Sequence, residues 1–231
     1  MFFKTILCFC LGIPLISANT EKTIFLGPEP VNIPAQSPSL NALNIDTLTP
    51  DKPSIRTHLE AVFPTEELSR GKESWLILDD LAEGQRYEVR VCWLATQPTA
   101  FHLTTYPLDT VFDTPALITS LYNYSMSRQP PSSSPPKPAT APEHQSSILF
   151  LRISAAAEYF TTNATLMAHP EPVLVDIILD PFLGNVLPRT LVPTVVYIVA
   201  VAVLSWVLAS RLVVPGLKAL FGDEDGVKKT Q

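Results

Sequence analysis

From Thr190 to Ser210 the chain runs for 21 residues without a charge, bounded by Arg189 and Arg211. A helix rises about 1.5 Å per residue, so this run covers roughly 30 Å, the hydrocarbon thickness of a bilayer. Such a run is expected to cross a membrane once as residues 190–210, which puts the two flanks in different compartments. Pro193 falls in the first turn, where a missing backbone donor costs little. Tyr197 and Trp206 lie toward the two ends, as interfacial aromatics do. No ionisable residue sits inside, so no proton or ion relay is expected. Ala200, Ala202, Ser205 and Ala209 either admit a close partner helix or are ordinary membrane filler.

The N-terminus sets the orientation. Lys4 precedes the apolar stretch Ile6 to Ile16. Ser17 and Ala18 follow, and the chain turns polar at Asn19-Thr20-Glu21. This pattern is that of a cleavable signal peptide over residues 1–18, an uncleaved anchor being the alternative. Cleavage would leave 19–189 in the lumen and 211–231 in the cytosol. Arg211, Lys218, Lys228 and Lys229 follow the apolar run, whereas the stretch just before it holds only Arg189, which agrees with a single-pass type I topology. Lys228 and Lys229 stand fourth and third from the end, the arrangement of a dilysine retrieval signal. Coat proteins read that signal on cytosolic tails and return the protein to the endoplasmic reticulum.

Five of the 16 basic and three of the 22 acidic residues lie outside 19–189, leaving 11 and 19 within it. An acidic excess of this size argues against nucleic acid or anionic headgroups as partners. Cys8 and Cys10 leave with the signal, so the mature chain keeps only Cys92. No internal disulfide can form, and the domain must depend on core burial. Cys92 is expected as a free thiol packed in the core, with an intermolecular bridge as the alternative. Two acceptor sequons, at Asn123 and Asn163, fall on the luminal side.

The periodicity of the luminal part is that of strands. Ile55 to Phe63 alternates, Trp75 to Leu78 is a short apolar run, and Tyr87, Val89, Val91 and Trp93 alternate with Arg86, Glu88, Arg90 and Cys92. Further strands are expected around Phe101–Thr105, Leu149–Ile153 and Val173–Leu179. With 23 prolines in the chain and no long amphipathic helical stretch, a mainly β fold is expected. It takes the form of an antiparallel β-sandwich followed by one C-terminal transmembrane helix. Leu81 to Tyr87 reads as a sandwich corner in which the Tyr87 hydroxyl bonds back to the turn backbone, a structural role. Residues 129–147 change to a Pro/Ser-rich composition that cannot build a core, and read as a disordered or extended loop within the domain.

No catalytic constellation is found. His58, His102, His144 and His169 lack metal-ligand spacing, and no nucleophile elbow or phosphate-binding glycine loop occurs. Asp79-Asp80 follows a strand and precedes a turn, where acidic residues are ordinary turn formers. The chain reads as non-enzymatic, with no cofactor or metal.

Several segments carry a resemblance: Lys22 to Pro30 (KTIFLGPEP), Leu48 to Lys52 (LTPDK), Arg56 to Ala61 (RTHLEA), Tyr87 to Trp93 (YEVRVCW), and Asp176 to Phe182 leading to Leu187-Pro188-Arg189-Thr190. Together they resemble the fungal GPI-mannosyltransferase II co-activator family across nearly the whole chain. The resemblance implies a non-catalytic endoplasmic-reticulum subunit that pairs with the polytopic mannosyltransferase adding the second mannose to GPI precursors. It carries over no catalytic residues. The layout is shared by two other classes: a cargo receptor cycling between endoplasmic reticulum and Golgi, and a translocon-associated or chaperone-type membrane protein.

Overall fold

The alternation of Tyr87 to Trp93 becomes a strand because every second side chain there is apolar and a second sheet lies beneath to receive it. In the computed structural model, which describes residues 19–33, 40–129 and 144–221, the chain falls into two units, Met1–Phe182 and Leu183–Gln231. The first unit holds, in chain order, β1 (Thr20–Leu26), β2 (Val31–Ile33), β3 (Thr47–Leu48), β4 (Ser54–Leu59), β5 (Lys72–Leu78), β6 (Arg86–Trp93), β7 (Thr99–Pro107), β8 (His144–Ser146), β9 (Leu149–Ala157) and β10 (Val173–Leu183).

Two sheets face each other. The first runs β1–β6–β10, with β4 on the remaining edge of β10, all antiparallel. The second runs β3–β5–β9–β7, antiparallel except for the short parallel β3–β5 pair. Between them lie Tyr87, Val89 and Val91 of β6 and Val173, Val175, Ile177 and Leu179 of β10. They meet Leu76 and Leu78 of β5 and Leu151, Ile153 and Ala155 of β9. Burying each such aliphatic side chain is worth about 1.5–3 kcal/mol, and this burial carries the stability where, among the described residues, the one cysteine, Cys92, is free.

The expected strands are all present, but the expectation of strands throughout needs correcting. Helices α1 (Leu108–Asp113) and α2 (Pro115–Arg128) lie over the outer face of the second sheet. Val111, Leu117 and Leu121 pack there on Trp75, Ile77, Ile148 and Phe150. Leu117, Leu121 and Ser125, four residues apart, form the buried stripe of α2. The stripe is masked in the sequence because Ile118, Tyr122 and Met126 beside it are apolar yet exposed. Thr114 at the N-cap position and Pro115 in the first turn are the start signals, although the Thr114 side chain makes no capping hydrogen bond. Ser125 Oγ donates to the Leu43 carbonyl at 2.7 Å, and Arg128 pairs with Asp46 at 2.8 Å, tying α2 to the segment before β3. Burial pushes the Tyr124 phenol above its ordinary pKa, while the Arg128 guanidinium, 5.7 Å over its ring, pulls the other way.

At the corner before β6, Tyr87 Oη accepts from the Ala82 amide at 2.9 Å. Gly27 abuts this corner so closely that a Cβ there would stand 2.1 Å from the Ala82 carbonyl oxygen. Of the Pro/Ser-rich loop, residues 130–143 lie outside the described residues. Its ends are ordered: Gln129 Nε2 donates to the Ala42 carbonyl, and β8 pairs with β2. Ser147 Oγ reaches the Pro28 carbonyl at 2.6 Å.

The second unit contains one helix, Arg189–Leu217, long and apolar enough to cross a membrane. It is not uniform. After α-helical turns over Val192–Leu208, residues Ala209–Val213 form a π-helical segment in which the Val214 amide bonds back to the Ala209 carbonyl. Pro215 has no amide hydrogen to give the Arg211 carbonyl, and a widened turn just before proline relieves the crowding its ring imposes on that carbonyl.

Candidate interaction surface

Helices cover much of the outer face of the second sheet, whereas the outer face of the first carries a ladder of charges. Strand parity and register arrange it in rows: Ile24–Glu88–Asp180, then Lys22–Arg90–Ile178–Ser54, then Thr20–Cys92–Asp176–Arg56. Directly opposed side chains on one sheet face stand about 4.5–5.5 Å apart at Cβ, so opposite charges there attract and like charges repel. Glu88 and Asp180 are like charges in one row, and both are buried, at 4% and 1% exposure. Cations from the next row resolve the conflict. Lys22 Nζ lies 2.9 Å from Glu88, and Arg90 Nη1 reaches Glu88 at 3.4 Å and Asp180 at 3.6 Å. Removing Arg90 would leave Lys22 as the one cation shown beside two buried carboxylates that face each other, a costly way to break such a network.

Further along, Arg56 donates to Asp176 through Nε at 2.7 Å and Nη2 at 2.8 Å. Those hydrogen bonds hold the Asp176 carboxyl below its ordinary value. Cys92 belongs to this face too. The expectation of a core-packed thiol is corrected: Cys92 is half-buried on the outer side, where Thr20 Oγ1 donates to its Sγ at 3.5 Å. The cause is parity. Val91 points into the core, so its neighbour on the strand points out.

The second sheet brings Glu73, Ser154 and His102 into one row. Three residue types of a hydrolytic triad are thus neighbours, but in the wrong order. A triad needs the histidine between the nucleophile and the carboxylate, and here the serine separates them. Glu73 is instead engaged by Arg152 at 3.2 Å and accepts from Ser120 Oγ. Asp79 accepts from Ser146 Oγ at 2.5 Å and from the Asp80 amide at 2.8 Å, which is turn chemistry. Among the described residues no cluster of His, Cys, Asp or Glu could hold a metal ion.

The residues singled out by sequence are dispersed. Asn163 is exposed and caps α3 (Ala164–Ala168), its Oδ1 accepting from the Thr165 amide at 3.0 Å. Asn123 is exposed on α2, while its sequon partner Ser125 is buried. Lys228 and Lys229 lie outside the described residues. The sequence reading did not single out Lys22, Glu88, Arg90 and Asp180 as a unit, because strand pairing brings them together from three separate segments.

A β-sandwich unit and a helix able to cross a membrane define a membrane-anchored sandwich protein. The family model of GPI-mannosyltransferase II co-activators matches residues 8–116, a little under half of the chain, and over that stretch the chain is similar to the family. The matched stretch covers β1 to β6 and β7, including the Lys22–Glu88–Arg90 part of the charged face. No curated protein and no solved structure matches the chain.

Proposed function

We propose that this protein is a non-catalytic accessory subunit of the endoplasmic-reticulum mannosyltransferase that adds the second mannose to GPI precursors. The family match over residues 8–116 carries this reading. The fold supports it: a sandwich with a self-neutralised charged face suits holding a partner better than transforming a substrate. In this reading residues 1–18 are a cleaved signal, the sandwich is luminal, and the helix crosses once in type I orientation. Asn123 and Asn163 are glycan acceptors, and Lys228 and Lys229 recruit coat proteins from the cytosolic side.

Affinity capture of the full chain in mild detergent tests the proposal. The polytopic mannosyltransferase should co-purify, and cells lacking the chain should accumulate GPI precursors carrying a single mannose. Recovery of coat adaptors with cargo, or of translocon subunits, together with normal lipid-linked intermediates, would overturn it. Changing Lys228 and Lys229 to Ser should release the protein to the Golgi, with remodelled glycans on Asn123 or Asn163. Unchanged residence would show that the tail does not retain it.

A further inference from the structure

A cleft of about 310 Å³ opens at the end of the sandwich where β10 begins, the pole opposite Phe182. One wall is the β6–β7 connection with Thr96, continued by Thr99 at the start of β7, another is Tyr159 with Leu166 of α3, and a third carries Glu171. Its walls are pinned in place. Gln97 spends both ends of its amide on the third wall, donating to the Pro172 carbonyl at 3.3 Å and accepting from the Leu174 amide at 3.2 Å. Tyr159 donates to the Leu166 carbonyl at 3.3 Å, and its ring meets Phe63 edge-on with centroids 5.2 Å apart. A cleft braced this way does not have to be ordered by its ligand, which lowers the entropic cost of binding.

We infer that this cleft binds a neutral hexopyranose, such as a mannose residue of a glycan. The volume lies at the small end of the range for ligand sites, roughly 300–1,000 Å³, and suits a single sugar ring. Its charge decides the ligand class. The lining has one acid, Glu171, and no base, so phosphates, nucleotides and anionic headgroups would meet a carboxylate with nothing to offset it. Glu171 makes no ion pair with any described residue, and Thr96, also an exposed residue, lines the same cleft. Carboxylate and hydroxyl together ask for a ligand rich in O–H groups. The Tyr159 ring and Leu166, both half-buried, provide the apolar surface that a sugar's C–H face can cover.

The assignment deepens the subunit reading and rests on it only for the source of the sugar. The experiment uses the full chain in a detergent without a sugar headgroup, with ligand-observed NMR titration. Three probes are compared: the glycan headgroup released from a GPI precursor bearing one mannose, a released high-mannose N-glycan, and inorganic phosphate. Binding of a glycan but not phosphate is expected. A preference for the first probe would name the GPI precursor as the source, and a preference for the second a glycoprotein. Glu171→Gln and Thr96→Val, both at exposed positions, should each weaken glycan binding about tenfold with an unchanged melting temperature. No binding of either glycan at millimolar concentration, binding of phosphate, or unaltered affinity in both variants would overturn the assignment. Mannosyltransferase capture by the wild-type chain separates the two claims: capture without glycan binding removes only the cleft, and glycan binding without capture removes only the subunit role.

Discussion

The indole nitrogen of Trp75, a residue with no exposed surface, donates to Ser120 Oγ at 2.9 Å, and Ser120 in turn donates to Glu73. One hydroxyl thus joins the α2 helix to two positions of the β5 strand. Through the pairing of Glu73 with Arg152 it also reaches β9, where the Arg152 guanidinium lies 5.2 Å over the Tyr106 ring.

Ser120→Ala strands the buried indole donor. The expected cost is about 1–3 kcal/mol, the penalty for a polar group left without its partner. At this domain size each kcal/mol lowers the melting temperature by about 2–4 °C. Thermal unfolding of the purified chain, followed by near-ultraviolet circular dichroism, measures it. A melting temperature equal to the wild type would mean that the helical layer is held by apolar contact alone.

Tyr87→Phe removes the acceptor for the Ala82 amide while leaving the ring, stacked on Phe25 at 5.8 Å, in place. Destabilisation of about 1–3 kcal/mol is expected, read as a lower denaturation midpoint with an unchanged slope. A change in slope would instead indicate altered compactness.

Gly71→Ala should be worse than Gly84→Ala, although both glycines have positive φ, at +82° and +69°. Strain from a left-handed residue costs about 1–2 kcal/mol at either site. At Gly71 the new Cβ would also stand 2.0 Å from the Ala155 carbonyl oxygen, which is backbone and cannot swing aside, whereas at Gly84 nothing lies within 4 Å. Comparing the two melting temperatures tests this, and equal losses would count against the close approach of Gly71 to β9.

The Arg56–Asp176 pair sets a pH dependence. Because the folded Asp176 pKa is lowered, mainly by the hydrogen bond from Arg56, its contribution is present above the ordinary carboxylate range. That contribution is lost as pH falls through the lowered value. Wild type and Asp176→Asn should therefore differ at neutral pH by a constant amount and converge only in acid, below about pH 4. Convergence already between pH 7 and 5 would show that another group carries the effect.

Much of the sandwich was legible because a strand with one wet face writes its burial into alternate residues. Tyr87 to Trp93 and Val173 to Leu179 are such strands, and both lie where their pattern places them. The helical layer was not legible. Leu117, Leu121 and Ser125 share their helix with exposed Ile118, Tyr122 and Met126, so the apolar arc is too broad to point to one face. The charged face was half legible: alternation placed Glu88, Arg90 and Cys92 on one side of β6, but said nothing of what stands opposite.

Local order in the chain determined the strands, the apolar run before Arg211 and the side of β6 that faces away from the core, since each depends on residues one or two positions apart or on an unbroken stretch. Pairing across the sheets decided the rest. Lys22, Glu88 and Asp180 are far apart along the backbone and meet only because β1, β6 and β10 hydrogen-bond in one register. A register is selected by the whole core at once, and no short segment encodes it.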